Sequence, residues 1–336
     1  MTTLMKRHPF GSTSLQVTPI GLGLAALGRP GYINLGHGDD LDGRRGVDAL
    51  RAHTHKVLDA AWDLGIRYFD AARSYGRAEK FLGEWLRDRG ISADEVVVGS
   101  KWGYTYTADW QVDAEVHEVK DHSLPVFERQ WPETHERLGS HIDLYQIHSA
   151  TLKTGVLEDP DVIAALSALR YEGGVAIGLS LSGPRQADTL DRALEVTVDG
   201  RPLFDAVQAT WNILEPSAGP VLQAASDAGL GVIVKEALAN GRLTPRNDRP
   251  GFAGTYAVLK EQAERLGTKV DAFSLAAAIA QPWSDIVLSG AATIAQMRSN
   301  AEAVHVEWDA AAEDATRAMA ESPEEYWETR SHLPWN

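Results

Sequence analysis

The chain has 336 residues, no cysteine and a formal charge of −15, set by 47 acidic against 32 basic side chains. That composition excludes disulfides, thiolate metal sites and a cysteine nucleophile, and it argues against nucleic acid or an anionic membrane as partner, because both select a basic surface. No apolar run nears the roughly 18 residues of a membrane span and MTTLMKRHPFGSTS lacks the apolar stretch of a secretion signal, so a cytoplasmic globular protein is expected.

In chain order, FGSTSLQVTPIGLG reads as a hairpin leading into a first strand near Ile20, with Gly and Pro at the turns and β-branched residues in the arms. Residues 28–48 are rich in Gly, Asp and Arg without apolar period, which predicts a long functional loop. A helical period from Arg51 to Leu64 stops at Gly65, a C-cap signal. IRYFD follows as a strand, then a helix over Glu79–Arg87 closed by Gly90. Strand EVVVGSK, an amphipathic helix including Leu138 and strand IDLYQIH come next. Beyond them the apolar runs VAIGLS, FDAVQ, GVIVK and DIVLS alternate with helical patterns such as VIAALSALR, DTLDRALEV and YAVLKEQAERLG. The acidic stretch 310–328 reads as a solvated helix.

Eight short, wholly apolar strands alternating with helices imply parallel pairing with both sheet faces covered. The expected architecture is one (β/α)8 TIM barrel domain spanning residues 1–336, with an N-terminal β-hairpin and two lid segments, 28–48 and 321–336. An open doubly wound sheet is the alternative. It lacks support, because GLGLAALG after the first strand is followed by no helix period and no acidic partner at the right distance.

Three successive strands end in chemistry. IRYF ends at Asp70 with Tyr75 five residues on, EVVVGSK ends at Lys101, and IDLYQIH ends at His148. In a parallel barrel, reactive groups stand where strands end at the C-terminal face, so these four share one mouth. A phenol with a pKa of about 10 donates protons poorly at neutral pH. An ammonium within roughly 4–6 Å would lower it, and Asp70 would keep Lys101 charged. His148 would orient a bound carbonyl or share the proton relay. With no thiolate and no evident metal cluster, the electrons must come from an organic cofactor. His53 and His55, two apart on a helix, point in different directions and do not suggest a metal site.

GIRYFDAARSYG, followed by Glu79 and Gly83, resembles the first signature of the aldo-keto reductase superfamily. GSKWG and LGSHIDLYQIH resemble its next two strand-end motifs, in the same order and spacing, and the similarity runs to about Asn300. The resemblance implies a barrel with a nicotinamide cofactor extended across its mouth. It also implies Tyr75 as general acid/base, Asp70 and Lys101 as its tuners, and His148 as the substrate-orienting group. NADP(H) is the cofactor the resemblance favours, with NAD(H) as the alternative. By the same likeness Ser180 and Gln208 hold the carboxamide, although Leu181 stands where Asn is usual. Lys235 and Glu236 replace a stacking aromatic residue and a serine, and Lys235 either reaches an anionic group or pairs with Glu236.

Gly23, Leu238, Asn240, Gly241 and Arg242 fall along the cofactor. Gly290, Gln296 and Asn300 match positions near the adenosine. The lysine and arginine that some members place on a 2′-phosphate are absent there, where Gly290 and Gln296 stand, and the nearby Arg298 is the candidate substitute. Trp102, Tyr104 and Trp211, with Tyr106 and Trp110, are candidate walls of a pocket for a small carbonyl or alcohol substrate. The expected function is NAD(P)H-dependent reduction of an aldehyde or ketone, or oxidation of the corresponding alcohol or sugar. Two alternatives are a cofactor-binding redox sensor with little turnover and a Schiff-base aldolase using Lys101.

Overall fold

The computed structural model describes residues 5–336. Runs of Val, Ile, Leu, Phe and Tyr, buried along almost their whole length, form eight parallel strands. They are β1 (Ile20–Gly23), β2 (Tyr68–Asp70), β3 (Val97–Trp102), β4 (Ile142–Ala150), β5 (Ala176–Leu181), β6 (Ala206–Thr210), β7 (Gly231–Lys235) and β8 (Ile286–Ser289). Sequence neighbours pair, and β8 pairs with β1 with Ser289 aligned to Leu22, so the sheet closes into the expected barrel. The helices before β5 are α1 (His37–Leu41), α2 (Val47–Asp63), α3 (Ala78–Arg89), α4 (Leu124–Leu138) and α5 (Pro160–Tyr171). After it come α6 (Gln186–Leu194), α7 (Gly219–Asp227), α8 (Ala253–Arg265), α9 (Val270–Ile279), α10 (Ile294–Ala301), α11 (Ala310–Arg317) and α12 (Pro323–Ser331).

Local chemistry sets the helix ends. Gly90 takes the left-handed conformation (φ 63°) that closes α3. Asp159 caps α5 by accepting from the amides of Asp161 and Val162, and Pro160 occupies the first turn. Thr293 and Gln296 form a reciprocal capping box on α10.

Strand alternation sorts the side chains into two layers. One set faces the helices and joins the large outer core, as Val98, Trp102, Ile147 and Val207 do. The other set fills the barrel interior, where Tyr68, Leu144, Ile233 and Ile286 meet Phe10 and Val17 of the N-terminal hairpin (His8–Pro9 with Gln16–Val17). That hairpin plugs the bottom of the barrel. A Cβ on Gly231 would lie 2.4 Å from the Phe10 ring, so the plug requires glycine there.

The top is covered by three segments. The first runs from Leu24 to Gly46, and it is not featureless, because it carries α1 and α2 begins earlier than its apolar period suggested. The second is an unforeseen hairpin, Tyr104–Tyr106 with Glu118–Lys120. The third is the C-terminal stretch, where the expectation of one solvated helix fails. Ser322 and Pro323 start a separate helix, α12, whose Tyr326 and Trp327 are buried. Among the described residues, no helix is long and apolar enough to cross a membrane.

Candidate active site

β2 delivers Asp70 and β3 delivers Lys101 to the barrel interior, with Asp70 in register with Gly99 and Lys101 two residues beyond it, and both are buried. The Lys101 ammonium donates to Asp70 Oδ2, to the Ala71 carbonyl (2.9 Å) and to the Tyr75 hydroxyl (3.3 Å). Asp70 Oδ1 accepts from Gln208 Nε2 at 2.9 Å. The turn carrying Tyr75 is pinned to β3 by Ala71 N–H to Gly99 O and Arg73 N–H to Lys101 O. Gly28 packs directly under that turn, where a Cβ would sit 2.1 Å from the Tyr75 carbonyl oxygen.

His148 completes the group, with Nε2 3.5 Å from the Tyr75 hydroxyl and the two rings edge to face at 5.4 Å. Strand alternation points this side chain inward with Leu144 and Gln146, and the register of β4 against β5 shifts between Ile147 and Ala150. Ser149 takes φ 55° within that shift, and its amide donates to Ser180 Oγ at 2.8 Å.

Burial dominates the electrostatics. It pushes the Tyr75 phenol well above its ordinary pKa, and the Asp70 carboxylate adds to that. The lowering expected from Lys101 is therefore not what the resting site displays, because burial of the phenol, followed by the Asp70 carboxylate, drives it the other way. Burial also lowers the Lys101 ammonium, with Asp70 opposing. His148 is held well below 6.5 by burial and then by Lys101 and Arg29. At neutral pH the site thus offers a neutral phenol and a neutral imidazole beside a buried ion pair.

A cavity of about 910 Å³ opens from Tyr75 and His148, within the roughly 300–1,000 Å³ range of cofactor and ligand pockets. Its walls include Gly23, Gln208, Lys235, Glu236, Leu238, Asn240 and Gly241, then Gly290, Gln296 and Asn300 at the far end. Glu236, Ala239 and Asn240 all have left-handed backbone (φ 56°, 47° and 56°), unusual for side-chain-bearing residues and typical of strained functional segments. Asn240 is buried, and its Oδ1 has no hydrogen-bond partner. A cavity of this volume, with an orphaned acceptor and the glycines Gly23 and Gly290 in its wall, fits a large polar ligand such as a dinucleotide.

The structure does not bring every expected residue to this cavity. Trp102 is fully buried between His122 and Phe127, facing the helices. Trp211 packs on Trp283 at 5.7 Å, and Trp110 on Phe81 at 6.4 Å. Tyr104 touches His148, with ring centroids 4.9 Å apart, from outside the cavity wall. Ser180 lies beneath the Ser149 amide rather than in the wall, which Ser182 occupies. Arg242 is buried against Glu321, away from the cavity. His53 and His55 each satisfy a different backbone carbonyl, of Ala292 and Phe81.

The model of the Aldo/keto reductase family matches residues 19–320. The chain belongs to that family. Its members are oxidoreductases that act on carbonyl and CH–OH groups. A D-threo-aldose 1-dehydrogenase from a Pseudomonas species is 30% identical over 61% of this chain and 66% of its own length. A pyridoxal 4-dehydrogenase from Microbacterium luteolum is 32% identical over 43% of each. The alignments with these two relatives thus span less than two thirds of their lengths. An NADH-specific methylglyoxal reductase from Escherichia coli is 27% identical over 95% of this chain and all of its own. An aldo-keto reductase from Bacillus halodurans, solved in its holo form, superposes with a TM-score of 0.73 at 21% identity, covering 95% of this chain and 97% of that one. It shares the fold.

Within this frame Lys235 is the most unusual cavity residue. Burial lowers its ammonium to about 8, with Glu236 opposing. Its Nζ donates to Thr210 Oγ1 at 2.7 Å and stands 3.9 Å from Glu236. Burial would raise the Glu236 carboxyl, but Arg330 and Lys235 outweigh it and hold the group at about 2. Arg330, from α12, donates to both oxygens of Glu236. Sequence reasoning missed Arg330 as a site residue, along with Arg29, which lies over the Tyr75 and Trp335 rings and pairs with Glu118. The only signal was that both fall in the two segments expected to flank the mouth.

Proposed function

We propose that the protein is a nicotinamide-dependent oxidoreductase that interconverts an aldehyde or ketone and the corresponding alcohol or lactol, with Tyr75 as the proton donor and acceptor. The single observation that carries this reading is the Tyr75 hydroxyl, 3.3 Å from Lys101 Nζ and 3.5 Å from His148 Nε2, in the wall of a cavity of about 910 Å³. A bound reduced nicotinamide supplies the hydride. Gln208, Lys235, Asn240 and Gly290 are the residues that would hold the cofactor.

His148, neutral at physiological pH, donates a hydrogen bond to the substrate oxygen and orients it. Tyr75 gives its proton to that oxygen as charge develops. Lys101 then stabilises the phenolate through the contact already made, and in the oxidation direction the same proton returns to Tyr75. Asp70 keeps Lys101 charged and fixed. The likeness to an aldose dehydrogenase and to a methylglyoxal reductase supports small polar carbonyl compounds and aldoses as the substrates to try first. A Schiff-base role for Lys101 finds no support, because its ammonium is enclosed and already donates to Asp70, Ala71 and Tyr75.

The test is NADH and NADPH oxidation followed at 340 nm with a panel of aldehydes, ketones and aldoses, alongside Tyr75→Phe. Turnover lost in Tyr75→Phe while cofactor binding persists is the expected result. Turnover that survives the substitution would overturn the proton-donor role.

A further inference from the structure

The wall beside Tyr75 holds one cation more than its carboxylates match. Asp70 pairs with Lys101, and Glu118 pairs with Arg29. Glu236 stands against two cations at once. Both of its oxygens accept from Arg330 Nε, at 3.0 and 2.9 Å, and the same carboxylate is 3.9 Å from Lys235 Nζ. One negative charge is thus divided between two positive ones. Among the described residues, the only hydrogen-bond acceptor on Lys235 Nζ is the Thr210 hydroxyl, at 2.7 Å, with the Trp327 ring 5.5 Å away. The Lys235 side chain is 16% exposed, and the space it faces is the cavity that it lines. His148 is neutral and offsets none of this charge. At the far end of the cavity, the Asp40 carboxylate of α1 already has Arg246 and Gln296 as partners.

We propose that Lys235 makes this site bind the reduced nicotinamide more tightly than the oxidised one, and so favours oxidation of the alcohol or lactol on the enzyme. The inference rests on the nicotinamide-dependent reading above and specifies which redox state and which direction that site prefers. Hydride transfer brings the ring within roughly 3–3.5 Å of the carbon whose oxygen exchanges a proton with Tyr75. The ring therefore occupies the end of the cavity that Lys235 lines, where β7 pairs with β6 so that Lys235 is level with Thr210, two residues past Gln208. The oxidised ring carries a positive charge and the reduced ring carries none. An unmatched ammonium in the wall repels the first and not the second, and enclosure strengthens the repulsion relative to water. In the favoured direction the carbinol C–H bond breaks, its hydride goes to the ring, and the hydroxyl proton goes to the Tyr75 phenolate. Protonation gates the bias. Burial lowers the Lys235 ammonium to about 8, with Arg330 and Lys101 acting the same way and Glu236 and Asp70 opposing. The charge is present at neutral pH and lost as pH rises through that value, and the oxidised ring helps to expel the proton.

Equilibrium dissociation constants from titration calorimetry test this without turnover. NADH is compared with NAD⁺, and NADPH with NADP⁺, on the full-length protein, on Lys235→Met and on Lys235→Arg. At about pH 7 the wild type is expected to bind the reduced form at least about tenfold more tightly. That ratio corresponds to a rise of about 30 mV in the potential of the bound couple. Between about pH 7 and about pH 9.5 the oxidised form should gain affinity while the reduced form does not. Lys235→Met should lower the ratio by about tenfold and abolish its pH dependence, whereas Lys235→Arg should keep the ratio and abolish only the pH dependence. Equal affinities in the wild type would overturn the role of Lys235 and leave the cofactor reading intact. A ratio unchanged in a Lys235→Met protein that melts cooperatively would do the same. Binding of no dinucleotide in either redox state would overturn the cofactor reading and the redox preference with it. If both variants fail to fold, the wild type decides, by calorimetry at about pH 8 in buffers of different ionisation enthalpy. Protons released on binding NAD⁺ but not NADH support the proposal, and no release overturns it.

Discussion

The two ends of the cavity are built by opposite strategies. At the Tyr75 end, Asp70, Lys101 and His148 come from the ends of β2, β3 and β4, and the strand register sets their spacing. At the Asp40 end the contacts join loops and helix ends more than 200 residues apart in sequence, as Asp40 does with Arg246 and Gln296. A barrel rim gives fixed geometry suited to proton transfer, where small displacements are costly. Loops give a wall that can differ between relatives while the chemistry stays the same. Substitutions at the strand-built end and at the loop-built end should therefore divide in their effects.

The largest effect should come from Tyr75→Phe, with kcat lowered by about 10³-fold and the dissociation constant for NADH within about threefold of wild type. A comparable loss of cofactor binding would mean that the two ends are not separable. Next is Lys101→Met, expected to lower kcat by about 10²-fold and to cost about 3–5 kcal/mol in urea unfolding, because it leaves Asp70 buried without its partner. Lys235→Met should cost far less stability, since Glu236 keeps Arg330.

Arg330→Ala comes third, at about 2 kcal/mol near neutral pH. Glu236 titrates at about 2 in the folded state, below the usual carboxyl range. Its stabilisation is thus fully present above about pH 4.5 and lost as pH falls from there towards 2. Acid unfolding should show the wild-type and Arg330→Ala curves converging across that window. Curves that stay parallel to pH 2 would show that Arg330 acts through packing instead. The smallest effect on catalysis should be that of Trp102→Phe, with KM and kcat within about twofold and a melting temperature a few degrees lower from the underfilled core. A large rise in KM would return Trp102 to the substrate pocket.

The eight strands were legible because each is short, apolar and buried on both faces, and its helix follows with a clear period. The four reactive groups were legible because strand ends in a parallel barrel are positions of known direction. Strand parity went unused. Lys101 faces the interior, so its neighbours Ser100 and Trp102 must face the helices, where Ser100 donates to Glu79 and Trp102 meets Phe127. The same alternation puts Gln208 inside and, just beyond β6, sends Trp211 towards Trp283. Asp40 and Arg330 had no such signal. They sit in segments whose conformation depends on contacts across the whole chain, including hydrogen bonds from Asn336 to the carbonyls of Tyr32 and Asn34. The 310–328 stretch misled because its charge pattern hides Tyr326 and Trp327, which a single solvated helix would have left in water.

The absence of cysteine has a consequence for the working life of this molecule. Aldehydes and unsaturated ketones are electrophiles, and thiolates are the protein nucleophiles that react with them fastest. Here the amines beside the cavity nearest Tyr75 are those of Lys101 and Lys235. The first is sealed against solvent and bound to Asp70, and the second is engaged by Thr210. A protein built this way should show no thiol-type labelling by maleimides or iodoacetamide under conditions where amines stay protonated.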